Sequence, residues 1–116
     1  DELVADAQTE LLRDLREPVR LASLAASSGV SARTLTRRFK SATGVSISEY
    51  LQLRRLDEAQ ALLRRTNLSV TEVGSAVGIH DPSHFTRTFK QLTGLTPSAF
   101  RTAVRQKGFR VSKLPD

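Results

Sequence analysis

Apolar residues in this chain recur at helical spacing, and no stretch alternates convincingly as a half-buried strand would. Residues 3–16 place Leu3, Ala7, Leu11, Leu12 and Leu15 on one stripe, and Pro18 stops the run. A short helix is predicted over Leu21 to Ser28, ended by Gly29. Ser31 is placed to cap the next helix, which runs to about Thr43, where Gly44 supplies a left-handed position. Ser46, with Glu49 three residues on, opens a long helix to about Arg65. Its stripe is Tyr50, Leu53, Leu56, Ala59, Leu62 and Leu63. Ser69 and Glu72 repeat the capping signal for a short helix ending near Gly78. Asp81 and Pro82 start a helix to about Thr93, stopped by Gly94. Thr96 and Pro97 start the last one, to about Gln106, and residues 107–116 read as a frayed or disordered tail. The pattern predicts an all-α fold of about seven helices.

The helices fall into two similar halves. Ser31 to Tyr50, SARTLTRRFKSATGVSISEY, lies over Asp81 to Phe100, DPSHFTRTFKQLTGLTPSAF. Thr36, Arg37, Phe39, Lys40, Thr43, Gly44 and Ser48 repeat as Thr86, Arg87, Phe89, Lys90, Thr93, Gly94 and Ser98. Upstream, Ala25 and Gly29 match Gly74 and Gly78, small residues that let the following helix cross closely at a tight turn. A short helix, a tight turn and a second helix, built twice, form two helix-turn-helix units. The expected organisation is an acidic helix over 1–17, a first unit over 18–45, a linker helix over 46–66, a second unit over 67–95, a C-terminal helix over 96–106 and the tail over 107–116.

At about 100° per residue, Leu35, Phe39 and Ala42 share the core face of the second helix of the first unit. Arg33, Arg37 and Lys40 point the other way, with Thr34 and Thr36 alongside. Arg38 sits nearer the buried edge, where it packs its stem or pairs an acid. In the second unit Phe85, Phe89 and Leu92 take the core face; Ser83, Arg87 and Lys90 point outward, flanked by His84 and Thr86. An Arg fork matches guanine O6 and N7, a Lys one turn on suits a phosphate, and Thr suits a thymine methyl or a phosphate.

Charge sharpens that picture. The chain carries 18 Lys and Arg against 12 Asp and Glu, net +6. Residues 1–17 hold six of the acids against Arg13 and Arg16, net −4. Residues 18–48 hold no acid and five basic residues, and 82–115 hold no acid and seven. Each basic block contains one copy of the repeat, a field that attracts polyanions such as double-stranded DNA. The acidic helix should stay off DNA; its stripe is expected to pack near Leu21, Leu24 and Leu35, the alternative being a linker helix whose stripe faces an upstream domain. A 19-residue linker helix rises roughly 28 Å, close to the ~34 Å spacing of successive major-groove faces. One molecule is thus expected to reach two grooves.

These segments closely resemble the DNA-binding domain of the AraC/XylS family of bacterial transcription regulators. They are LASLAASSGVSARTLTRRFKSATG, LQLRRLDEAQALLRRTNLSVTEVGSAVGI and HDPSHFTRTFKQLTGLTPSAFR, about 18–101 of the chain. The resemblance implies seven helices, two helix-turn-helix units joined by a long helix, and base-reading helices at Ala32 to Lys40 and Pro82 to Lys90. It also implies a cytoplasmic transcription regulator, often an activator acting through RNA polymerase. Gly74 and Ile79, on either side of the turn at Gly78, depart from the family's usual Ala and aromatic, which predicts a looser second unit. The chain has no Met, and many members carry an upstream effector or dimerisation domain. A fragment of such a longer protein is therefore expected.

Other functions fit poorly. There is no nucleophile elbow, glycine-rich phosphate loop or paired-carboxylate constellation, so no enzyme is predicted. His80, Asp81 and His84 imitate a metal triad, but Pro82 and the lack of a second cluster argue against it, and no metal or cofactor is expected. There is no Cys, no apolar run long enough for a membrane and no signal-peptide pattern. RNA binding lacks aromatics on the exposed helix faces, since Phe39, Phe85 and Phe89 are needed inside; of the remaining Tyr50, Phe100 and Phe109, the first two look like matched core residues. The competing reading is a basic helical module for an acidic protein partner.

Overall fold

A computed structural model describes residues 1–106; the expected tail, 107–116, lies outside the described residues. The helices are α1 (Glu2–Leu11), α2 (Leu21–Ser27), α3 (Ala32–Thr43), α4 (Ile47–Arg65), α5 (Val70–Ala76), α6 (Pro82–Thr93) and α7 (Pro97–Gln106). Among the described residues there is no strand, and no helix is long and apolar enough to cross a membrane. The chain divides into two compact units between Arg55 and Leu56, so α4 contributes to both.

In the first unit Val4, Ala7, Leu11, Leu24, Ala25, Leu35, Phe39 and Ile47 form one buried cluster, with Leu3, Leu21 and Tyr50 packed at its edge. The stripe of α1 thus packs on α2 and α3, near Leu21, Leu24 and Leu35 as expected. The helix itself is shorter than its pattern. It ends at Leu11 rather than running to residue 16, and Leu12 is exposed. Asp14 is the cause. Its carboxylate accepts the Arg16 backbone N–H at 3.0 Å and pairs with the Arg16 guanidinium at 3.1 Å, an alternative to helical bonding. Arg55 holds the segment by donating to the Leu15 and Glu17 carbonyls at 2.8 and 3.1 Å. At the other end Asp1 caps α1 and takes a two-pronged bond from Arg38, at 3.0 and 2.9 Å.

The second unit is organised on three phenylalanines. Phe85, Phe89 and Phe100 meet edge to face, with centroids 5.8 and 5.4 Å apart. Leu56, Ala59, Leu63, Val73, Val77, Ile79 and Val104 complete the core. Gly74 is also buried, and a methyl group there would lie 2.8 Å from the Ile79 carbonyl oxygen and 3.1 Å from the Phe85 ring. The missing side chain is therefore filled by neighbours, and the expected looseness is not found at this residue. Arg101 and Arg105 close the end of α4 by donating to the Leu63 and Thr66 carbonyls.

Three apolar assignments need correction. Leu53 is exposed and Leu51 is buried in its place, because the buried stripe of α4 shifts between its first and last turns. Ala42 and Leu92, assigned to the core face, are both exposed. Each sits in the last turn of its helix, beyond the packed cluster, so helical angle alone misplaces it.

Candidate nucleic-acid interface

The same devices build α3 and α6. The Ser31 hydroxyl accepts the Thr34 N–H at 3.1 Å, and the Asp81 carboxylate accepts the Ser83 N–H at 3.0 Å. Pro82 sits in the first turn of α6, where its missing N–H costs nothing. Both helices end on a glycine with φ of 85°, at Gly44 and Gly94. The Thr43 and Thr93 hydroxyls donate back to the Phe39 and Phe89 carbonyls at 2.8 and 2.9 Å. They also accept the Val45 and Leu95 N–H groups, each at 3.2 Å. Leading into each helix is the same tight turn: Val30 N–H donates to the Ala25 carbonyl at 3.1 Å, and Ile79 N–H to the Gly74 carbonyl at 2.8 Å. Gly29 and Gly78 have φ of 75° and 91°. Leu35 and Phe39, and Phe85 and Phe89, are fully buried, which fixes the rotation of each helix about its axis.

That rotation leaves Arg33, Thr36, Arg37 and Lys40 exposed on α3, with Thr34 half-buried. On α6 it leaves Ser83, His84, Arg87 and Lys90 exposed, with Thr86 half-buried. Within each unit the sequence-assigned residues therefore lie on the outward side of one helix. The Thr34 hydroxyl is partly committed, accepting from Ser31 at 3.0 Å. His84 stands 3.5 Å from the Thr88 hydroxyl, and Asp81 between the two histidines is occupied by its cap. Arg38, set apart from the reading face in sequence, pairs with Asp1.

Electrostatics separate the basic residues further. Arg55, Arg101 and Arg105 are spent on backbone carbonyls, and burial lowers the pKa of Arg55 and Arg101. Among the described residues no acid stands within ion-pair distance of Arg33, Arg37, Arg87 or Lys90. These cations face outward with donors available, which suits an anionic ligand. Lys40 differs, for its Nζ lies 3.9 Å from the Glu49 carboxylate. Sequence reasoning missed this neighbour because Glu49 was assigned to its cap alone. The repeat held the signal, since Glu49 falls opposite Ala99.

Residues 24–103 match the family model of a helix-turn-helix domain. The chain is 31% identical to the uncharacterized HTH-type transcriptional regulator YfiF of Bacillus subtilis, over 96% of this chain and 36% of that protein. It is 32% identical to the HTH-type transcriptional activator RhaR of Escherichia coli, over 85% of this chain and 35% of that one. The chain thus spans about a third of the length of these relatives. Among solved structures, the DNA-binding domain of the global transcriptional factor AdpA, in complex with a target DNA, superposes with a TM-score of 0.83. It shares 34% identity and covers 90% of this chain and 94% of that one. An AraC-type regulator from Chromobacterium violaceum gives the same TM-score at 30% identity, over 90% of this chain and 94% of that one. Two helix-turn-helix units, their paired outward faces and these relatives place the chain in the AraC/XylS family of regulators, as its DNA-binding domain.

Proposed function

We propose that the chain binds duplex DNA with sequence preference, laying α3 and α6 into major-groove segments about one turn apart. The observation that carries this reading is the matched pair of outward faces, Thr36, Arg37 and Lys40 against Thr86, Arg87 and Lys90, set on helices that end on the same left-handed glycine cap. Likeness to a domain solved with its target DNA supports it. Arg37 and Arg87 read base edges, with Arg33, Thr34, Ser83 and His84 setting the differences between the half-sites. Lys40 and Lys90 hold phosphates, and Thr36 and Thr86 hold phosphates or thymine methyls. In the whole protein this domain serves a cytoplasmic transcription regulator, an activator that contacts RNA polymerase, governed by an upstream effector or dimerisation domain. RhaR, an activator by name, supports that direction.

Footprinting on duplexes selected from a random pool tests the reading. Protection across roughly two turns, at one chain per duplex, is expected. A single short protected segment would reduce one unit to a bystander. Equal binding to every duplex would leave only a charged surface.

A further inference from the structure

The two units are not electrically equivalent, although their frames match. Lys40 and Lys90 occupy the same place, in the last turn of α3 and of α6. Facing Lys40 is Glu49, whose carboxylate is held in place by the start of α4. It accepts the Ser46 N–H at 3.1 Å while the Ser46 hydroxyl accepts the Glu49 N–H at 3.1 Å. The second unit repeats the hydroxyl half of this cap, with Thr96 accepting the Ala99 N–H at 3.1 Å, but Ala99 brings no carboxylate. Lys90 accordingly faces no acid among the described residues.

We infer that Glu49 is a built-in competitor for the phosphate that Lys40 would bind, so that Lys40 grips the DNA backbone less tightly than its counterpart Lys90. The inference rests on the DNA-binding reading above and adds to it a residue that tunes non-specific affinity. Both side chains are about 61% exposed, so the pair is solvated and exchangeable rather than locked. The bond from the Ser46 backbone, then the Ser46 side chain and Lys40, hold the Glu49 carboxyl below the usual range, so it is charged wherever DNA binds. A phosphate approaching Lys40 must displace this carboxylate or sit beside it. Either outcome reduces the counterions released on binding.

Glu49→Gln keeps the acceptor that the cap needs and removes the charge. Titrating non-specific duplex across a salt series should then show a salt slope steeper by about 0.9 and binding about fivefold tighter near 0.15 M salt. Melting should fall only slightly, since the cap keeps its acceptor and loses only an exposed charge at the helix start. In a Lys40→Ala background the same substitution should have little effect, which separates the local pair from a mere change in net charge. Ala99→Glu should do the reverse, completing the cap at Thr96 while weakening binding and flattening the slope. A Glu49→Gln slope equal to the parent's, or a gain that survives Lys40→Ala, overturns the inference while the DNA-binding reading stands. Absence of binding by the parent chain on any duplex overturns both.

Discussion

At the scale of single residues, the clearest constraint is at Gly74. A methyl group would sit 2.8 Å from the Ile79 carbonyl oxygen and 3.1 Å from the Phe85 ring, which itself packs edge to face in a core of three phenylalanines. Gly74→Ala should therefore destabilise by about 1–3 kcal/mol as overpacking, seen as a lower melting temperature. At the matching position of the first unit Ala25 already carries this methyl group, buried. The outward residues should divide by chemistry instead. Arg37→Ala and Arg87→Ala should each cost roughly 1–3 kcal/mol on the preferred duplex and relax preference at one position. Lys90→Ala should weaken all duplexes alike and lower the salt slope by about one. Competition binding against scrambled duplex distinguishes the two patterns. If Arg87→Ala kept full preference, α6 would be a backbone clamp only.

At the scale of elements, α1 behaves as part of the first unit's core. Val4, Ala7 and Leu11 are buried against Leu24, Leu35 and Phe39, and Asp1 ties the helix to α3 through Arg38. Removing residues 1–16 should lower the melting temperature clearly, since each buried Val or Leu contributes about 1.5–3 kcal/mol at most. Unchanged melting would mean that the stripe serves a partner elsewhere. Helix starts were legible in the sequence because they are local chemistry: Ser31, Ser46, Ser69 and Asp81 each accept an N–H two or three residues on. The stops at Gly44 and Gly94 were legible for the same reason. The end of α1 was not. It depends on Asp14 choosing Arg16 and on Arg55, forty residues away, holding the Leu15 carbonyl. Likewise the reading faces followed from helical angle, whereas Ala42 and Leu92 depended on where the neighbouring helices stop. The Lys40–Glu49 contact joins two elements, and no period within one helix encodes it.

At the scale of the whole molecule, the chain is one helical frame written twice and dressed differently. The frame consists of buried Phe pairs, threonine hydroxyls folded back on carbonyls, and left-handed glycines. None of these groups belongs to the outward faces, so the letters on each face can change without disturbing the frame. The domain is in effect a pair of interchangeable type blocks. Ser83→Arg with His84→Thr would set the α3 lettering into α6, at two exposed positions where the Asp81 cap uses only backbone N–H groups. Such a chain should melt close to the parent. Selection from a random duplex pool should then return a site whose two halves converge on one motif. A molecule that now reads two different words would stutter.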